Sequence, residues 1–262
     1  MSVPTIRYEA RDGIALLTID QPARMNAVTF EMWSSIPDLI ARAEADKNVA
    51  VIALTGAGER AFGAGADISQ FKEKRSDAEA VTAYDVAVAK AEHTLAETAK
   101  PTVAVIRGIC FGGSLGLAMC CDLRIGASDA RFRIPAARLG LGYRYADIAR
   151  LVNRLGRGPV ADLLLNAREV DAAEAHRLGI LNAVFERDAF QAESERYLRR
   201  IAGNAPLTLR AVKRALVELG RPEAQRDVAA VDALVAACFA SADYREGQAA
   251  FREKRDPKFT GE

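Results

Sequence analysis

Cysteine is scarce in this chain: Cys110, Cys120, Cys121 and Cys238 are the only four in 262 residues. None stands at metal-ligand spacing and two are neighbours. They read as small buried residues of a reducing compartment, which argues against a disulfide framework or a zinc site. An excess of one charge is also missing. Lys plus Arg number 36 against 35 for Asp plus Glu, a net +1, which argues against a nucleic-acid footprint or a polybasic membrane anchor. Long apolar runs are absent too. The longest charge-free stretch, Gly108 to Cys121, is 14 residues with four glycines, where a spanning helix needs about 20 apolar residues. The opening MSVPTIRYEARDG carries charges at once and breaks a signal pattern. The expectation is a cytoplasmic globular protein with no metal and with neither nucleic acid nor membrane as partner. Half the residues, 50%, are hydrophobic, and a chain this long buries roughly 70–75% of its unfolded surface, so a core forms without staples.

Along the chain, short apolar runs alternate with helical spacing. Gly13–Asp20 reads as a buried strand ended by Gln21-Pro22. Thr29 caps a helix to Ala45 whose apolar residues Met32, Ile36, Leu39, Ile40 and Ala43 recur at three and four. Val49–Leu54 is a strand, followed by the loop Phe62–Asp67 and a long helix from Asp77 to Ala99 with Val81, Tyr84, Val88 and Leu95 on one face. Strand Thr102–Ile106 leads to the loop Gly108–Gly113, from which a helix starts; Cys121–Ala127 and Ala130–Ile134 read as further strands. Helices occupy Arg144–Asn166, with a break at Gly156–Pro159, and Asp171–Leu178; a strand at Ile180–Phe185 follows, and everything beyond Asp188 is helical. Strands alternating with helices predict an α/β core, here residues 1–200, with an all-helical region at 201–262. No low-complexity linker divides the two.

Two glycine loops carry the chemistry. In FGAGADI, residues 62–68, Gly63 and Gly65 permit positive φ, so backbone N–H groups can turn into one concavity. In the second loop, Gly112-Gly113 leads directly into an apolar helix, whose first N–H groups are unpaired and carry partial positive charge. Neither loop has the Lys-Ser/Thr of a P-loop or the GxGxxG of a dinucleotide fold. Each taken alone reads first as a tight turn.

Together, FGAGADI and KPTVAVIRGICFGGSLGLAMCCDLRIGA at 100–127 resemble the enoyl-CoA hydratase/isomerase (crotonase) superfamily. So do QPARMNAV at 21–28, Phe132–Leu139, Ala172–Leu178 with Gly179–Asn182, and the terminal AFREKRDPKF, in the family's order. The resemblance implies a spiral of repeated β-β-α units with a C-terminal helical region that packs trimers, often paired into hexamers. It implies that the N–H groups of Ala66 and Gly113 form an oxyanion hole for the thioester carbonyl of an acyl-CoA, with no cofactor beyond the coenzyme A of the substrate. Preorganised donors of this kind stabilise the enolate through which reactions beside a thioester pass. The substrate-binding positions it implies are Arg24 at the CoA phosphates, Lys254 with Arg255 as a basic pair that reaches a neighbouring subunit's ligand, the backbone of Ala64, Asp67 and Ile68 near the adenine, and Gly112, Gly116, Ala136 and Leu141 around the acyl group.

The chain departs from the family at two positions. Family hydratases activate water with two glutamates, and the matching positions are Gly116 and Ala136, with no acid one residue away. Hydration needs a base for the water and a proton for Cα, which these residues do not supply, so efficient hydration is not expected. Tyr143 matches a tyrosine of family decarboxylases and can donate a proton to an enolate. The histidine that those enzymes carry in the first loop is Ala66 here. Arg133, Arg138 and Arg144 crowd the same segment, where one could clamp a substrate carboxylate. His93 falls off the apolar face of its helix, His176 reads as structural, and Asp67 and Asp122 read as binding loop backbone. Three readings stay open: another enolate reaction, such as decarboxylation with Tyr143; hydration through an unidentified acid/base; and acyl-CoA binding without catalysis.

Overall fold

The computed structural model describes residues 3–70 and 77–262. Strands β1 (Thr5–Arg11) and β2 (Ile14–Asp20) form an antiparallel hairpin. Asp12 and Gly13 turn it with φ of 51° and 79°, the two-residue geometry that matches strand twist. From there three units repeat one plan, in which a long strand enters one sheet and a short strand enters another. The pairs are β3 (Val51–Gly56) with β4 (Ala61–Gly63), β5 (Thr102–Ile106) with β6 (Ile109–Phe111), and β7 (Leu123–Ala127) with β8 (Arg131–Arg133). With β9 (Val170–Asp171) and β10 (Ala183–Phe185) they make a six-stranded sheet ordered β1-β2-β3-β5-β7-β10 and a four-stranded sheet ordered β4-β6-β8-β9. The repeated strands pair in parallel.

The long strands are buried on both faces, as parallel strands usually are. Alternation sorts their side chains: Val51, Ala53, Val103 and Val105 pack with Phe190 and Leu198, while Ile52, Leu54, Ala104 and Ile106 face the main core. Helix α1 (Phe30–Ala45) begins at Thr29, whose side chain accepts from the N–H of Met32. It buries Met32, Trp33, Ile36, Ile40 and Ala43 almost completely, a spacing of three and four that presents one apolar face. Helix α2 (Ala78–Glu97) is capped by Asp77, which accepts from the N–H groups of Glu79 and Ala80. The short helix α3 (Gly112–Ala118) starts directly at the end of β6.

The second half holds α4 (Ala136–Leu139), α5 (Tyr145–Leu155), α6 (Arg157–Ala161), α7 (Ala172–Arg177) and α8 (Phe190–Ala202). It ends with α9 (Pro206–Leu219), α10 (Val228–Ala240) and α11 (Ala242–Glu253). Lys213 of α9, buried at 3% exposure, donates to Asp122 at 2.7 Å and ties this region to the loop before β7. Asp122 also accepts from the N–H and hydroxyl of Thr102 at the start of β5, so it binds a strand end rather than the loop backbone expected. Among the described residues no helix is long and apolar enough to cross a membrane.

The sequence reading misses β1 and β9 and takes β4 and β6 for loop. β1 is a sheet edge with mostly exposed, polar residues. β4 and β6 are three residues long and need each other as hydrogen-bonding partners, so no local pattern marks them.

Candidate active site

The short sheet delivers the loops. β4, β6 and β8 are adjacent and parallel, so the segments leaving their C-terminal ends, at 64–68, 112–113 and 134–136, emerge side by side. Ligand sites in α/β sheets characteristically lie outside such strand ends. Gly65 adopts φ of 101°, and its N–H donates to Ser114 Oγ at 3.0 Å, fastening the first loop to the start of α3. Gly63 has an ordinary φ; it is needed because a Cβ there would lie 2.3 Å from Ser114 Oγ.

Ala66 forms a parallel bridge with Val28 in which Val28 N–H bonds Gly65 C=O and Asp67 N–H bonds Val28 C=O. A parallel bridge of this form uses the peptide groups flanking the bridged residue, so the N–H of Ala66 itself points away from Val28. A Cβ built on Gly113 would lie 3.6 Å from that nitrogen. Gly113 is in the first turn of α3, where N–H groups have no intrahelical partner. The two donors named from sequence are therefore neighbours.

They open on a cavity of about 200 Å³ lined by Trp33, Ile68, Val88, Ala136, Leu141 and Tyr143, along with the two loops. Of the sequence-named residues, Ala64, Ala66, Ile68, Gly112, Gly113, Ala136, Leu141 and Tyr143 meet there. Between Ile68 and Tyr84, both of which line the cavity, residues 71–76 lie outside the described residues. Asp67 turns its carboxylate away, accepting from Gln21, Ser69 and Arg24. Burial raises its pKa, but those hydrogen bonds and the Arg24 charge outweigh burial and hold it below the usual range. Arg24 pairs with Asp67 at 3.1 Å, and Lys254, exposed at the C-cap of α11, lies outside this lining. Arg255 pairs with Glu246 and Glu253 of its own chain. His93 is exposed, and His176 is exposed in the last turn of α7.

Two of the three arginines are committed to protein groups, and the third is on the surface. Arg133 donates to the carbonyl of Ala167, and Arg138 is exposed. Arg144, the one cation among the described residues lining the cavity, is already engaged by Asp147, by the carbonyl of Asp85 and by Glu92. It is not a free clamp.

Glu92 is the residue that sequence reasoning missed. It lines the cavity from α2 and is 3% exposed. Its Oε2 accepts from Arg144 at 2.8 Å and Arg150 at 3.1 Å. A Cβ at Gly116 would lie 3.4 Å from Glu92 Oε1 and 3.7 Å from the Tyr143 hydroxyl. The space that a side chain at Gly116 would enter is thus faced by a carboxyl and a phenol. Burial, with the negative charge of Asp147, pushes Glu92 up to about 7 against the pull of Arg150 and Arg144. Burial also raises Tyr143, helped by Asp147 and Glu92, so the phenol stays protonated at neutral pH. One signal was available: Glu92 follows Val88 by four residues, inside the stripe of Tyr84, Val88, Ala91 and Leu95, where a charge is out of place unless paired.

Comparisons with known proteins bear on the family and the fold. Residues 9–262 match the Enoyl-CoA hydratase/isomerase family model. A crotonyl-CoA hydratase from Syntrophomonas wolfei is 32% identical, over 99% of both chains. The solved structure of an enoyl-CoA hydratase/carnithine racemase from Magnetospirillum magneticum matches with a TM-score of 0.92 at 36% identity, over 100% of this chain and 97% of that one. That of an enoyl-CoA hydratase/isomerase family protein from Hyphomonas neptunium gives 0.91 at 33%, over 99% and 98%. With its spiral of β-β-α units and matches across nearly its whole length, the chain belongs to the enoyl-CoA hydratase/isomerase family.

Proposed function

We propose that this protein is an acyl-CoA-processing enzyme that holds the thioester oxygen between the N–H groups of Ala66 and Gly113 and works through the enolate formed there. The observation that carries this reading is the convergence of those two nitrogens, one turned out of a β-bridge and one in a helix's first turn, on a cavity with apolar walls. Each such donor is worth about 2.7–4 kcal/mol to a developing oxyanion.

The enolate must then be protonated at Cα, whether it arises by loss of carboxylate, by addition to a double bond or by removal of a proton. In decarboxylation, the breaking C–C bond itself generates the enolate, and Tyr143, a neutral phenol on the cavity wall, donates the proton or hydrogen bond. The commitment of Arg144 to protein acids favours reactions that need no arginine for a substrate carboxylate, and so gives weight to proton transfer on enoyl or saturated acyl esters. Arg24 is a proposed contact for the CoA phosphates, and Lys254 a proposed contact for the ligand of a neighbouring subunit. The proposed assembly is a homotrimer or a dimer of trimers in the cytoplasm. Supporting it, α10 buries none of its residues within the single chain and leaves Val228, Val235 and Phe239 exposed.

The test is a mass-spectrometric panel of crotonyl-, butyryl-, malonyl-, methylmalonyl- and aryl-CoA esters. Turnover of at least one ester, lost in a variant whose hole is blocked, is the expected outcome. Binding of the panel with no product would leave a non-catalytic acyl-CoA-binding protein.

A further inference from the structure

We propose that Glu92 is the acid/base that moves the substrate's Cα proton, supplied from α2 in place of a side chain at Gly116. The inference rests on the thioester reading above and specifies its proton-transfer group. Gly113 and Gly116 are three residues apart on α3, which puts their Cβ positions roughly 5–6 Å from one another along one face. On this proposal an ester whose oxygen is held at Gly113 N–H lays its acyl carbons on that side, where Glu92 and Tyr143 line the same cavity as Gly113. At that end the nearest polar atoms to the Gly116 position are Glu92 Oε1 at 3.4 Å and the Tyr143 hydroxyl at 3.7 Å. The absence of a side chain at Gly116 leaves room for the Glu92 carboxyl and the Tyr143 hydroxyl at that end.

The carboxyl is built to stay in place. Oε2 is gripped by Arg144 and Arg150, and Arg144 is itself fixed by Asp147 and the Asp85 carbonyl. Oε1 is the oxygen turned toward Gly116. In the forward step Oε1 takes the proton from Cα, the C–H electron pair becomes the C=C bond of the enolate, and the thioester oxygen takes the negative charge at Ala66 and Gly113. The reverse step returns the proton to Cα. Charged and titratable neighbours facing Glu92 are Asp147, Arg144 and Arg150, together with Tyr143, Cys120 and, two turns earlier on its own helix, Asp85. Their balance, dominated by burial, leaves Glu92 titrating near neutrality, where a group both accepts and returns a proton effectively.

The experiment uses butyryl-CoA in D2O, with Cα exchange followed by mass spectrometry and binding followed separately by calorimetry. Wild type should bind and exchange. Glu92→Gln should bind within about threefold of wild type and lose exchange by about 10²–10⁴-fold. Glu92→Asp should keep a measurable part, and Gly116→Glu placed on Glu92→Gln should restore at least about tenfold. In wild type the rate should rise with pH to a plateau above about 7, as expected for a base that must be ionised. Three results overturn the assignment: binding without exchange in wild type, exchange retained by a folded Glu92→Gln, or a rate flat across neutral pH. The wild-type pH profile decides even where Glu92→Gln does not fold. If wild type fails to bind butyryl-CoA, the thioester reading itself falls and the assignment of Glu92 with it.

Discussion

Replacing Gly113 with alanine adds a single methyl group between the two proposed oxyanion donors. Its Cβ would stand 3.6 Å from Ala66 N and 3.5 Å from Trp33 Cζ2, both ordinary contacts. Gly113 lies in a helix and has no positive φ. Alanine is favoured over glycine by about 0.8–1.0 kcal/mol in a helix interior and by less in a first turn, so the melting temperature should hold or rise by no more than about 2–4 °C in a chain of this size. Catalysis should behave in the opposite way. The substrate oxygen must approach within about 2.7–3.1 Å of each nitrogen, and the new methyl occupies that approach. Losing one donor corresponds to about 2.7–4 kcal/mol, or about 10²–10³ in kcat. The assay is Cα exchange of butyryl-CoA, or turnover of whichever panel ester is accepted, with melting measured in parallel. A stable variant retaining activity within about threefold would refute the reasoning.

Three other outcomes follow from the same geometry. Trp33 is the only tryptophan in the chain and lines the cavity, so butyryl-CoA should change its fluorescence in a saturable way, and no change at concentrations where calorimetry shows binding would place the ligand elsewhere. Gly63→Ala forces a Cβ to 2.3 Å from Ser114 Oγ, and overpacking of this kind should cost about 1–3 kcal/mol in denaturant unfolding; an unchanged midpoint would contradict the packing of loop on helix. Burial raises Glu92 to about 7 in the fold, against about 4.3 when unfolded. The folded state therefore binds the extra proton between those values, and the stability Glu92 contributes is present below about 4.3 and lost as pH rises through about 7. Wild-type stability relative to Glu92→Gln should decline across that window, and a constant difference would contradict the raised pKa.

The sequence carries the loops better than the sheet that holds them. Gly65 and Gly112-Gly113 are legible because the two glycine loops occur together in one pattern, although either alone would pass for a tight turn, and Thr29 and the stripe from Met32 to Ala43 mark α1 through local rules. β4 and β6 are invisible because three residues acquire strand character only from partners distant in sequence. The absence of a side chain at Gly116 is equally plain in the sequence, but its consequence is not. What fills the space comes from α2, 24 residues earlier, and from Tyr143 beyond β8. Arg144 shows the reverse: a cation in the right segment reads as a substrate clamp until Glu92 and Asp147 are seen to hold it.

The most direct measurement is a crystal structure with butyryl-CoA bound. The account predicts the thioester oxygen within about 3.1 Å of both Ala66 N and Gly113 N, with Cα turned toward Glu92. A carbonyl oxygen bound outside the cavity, or bonded to neither nitrogen, would contradict it.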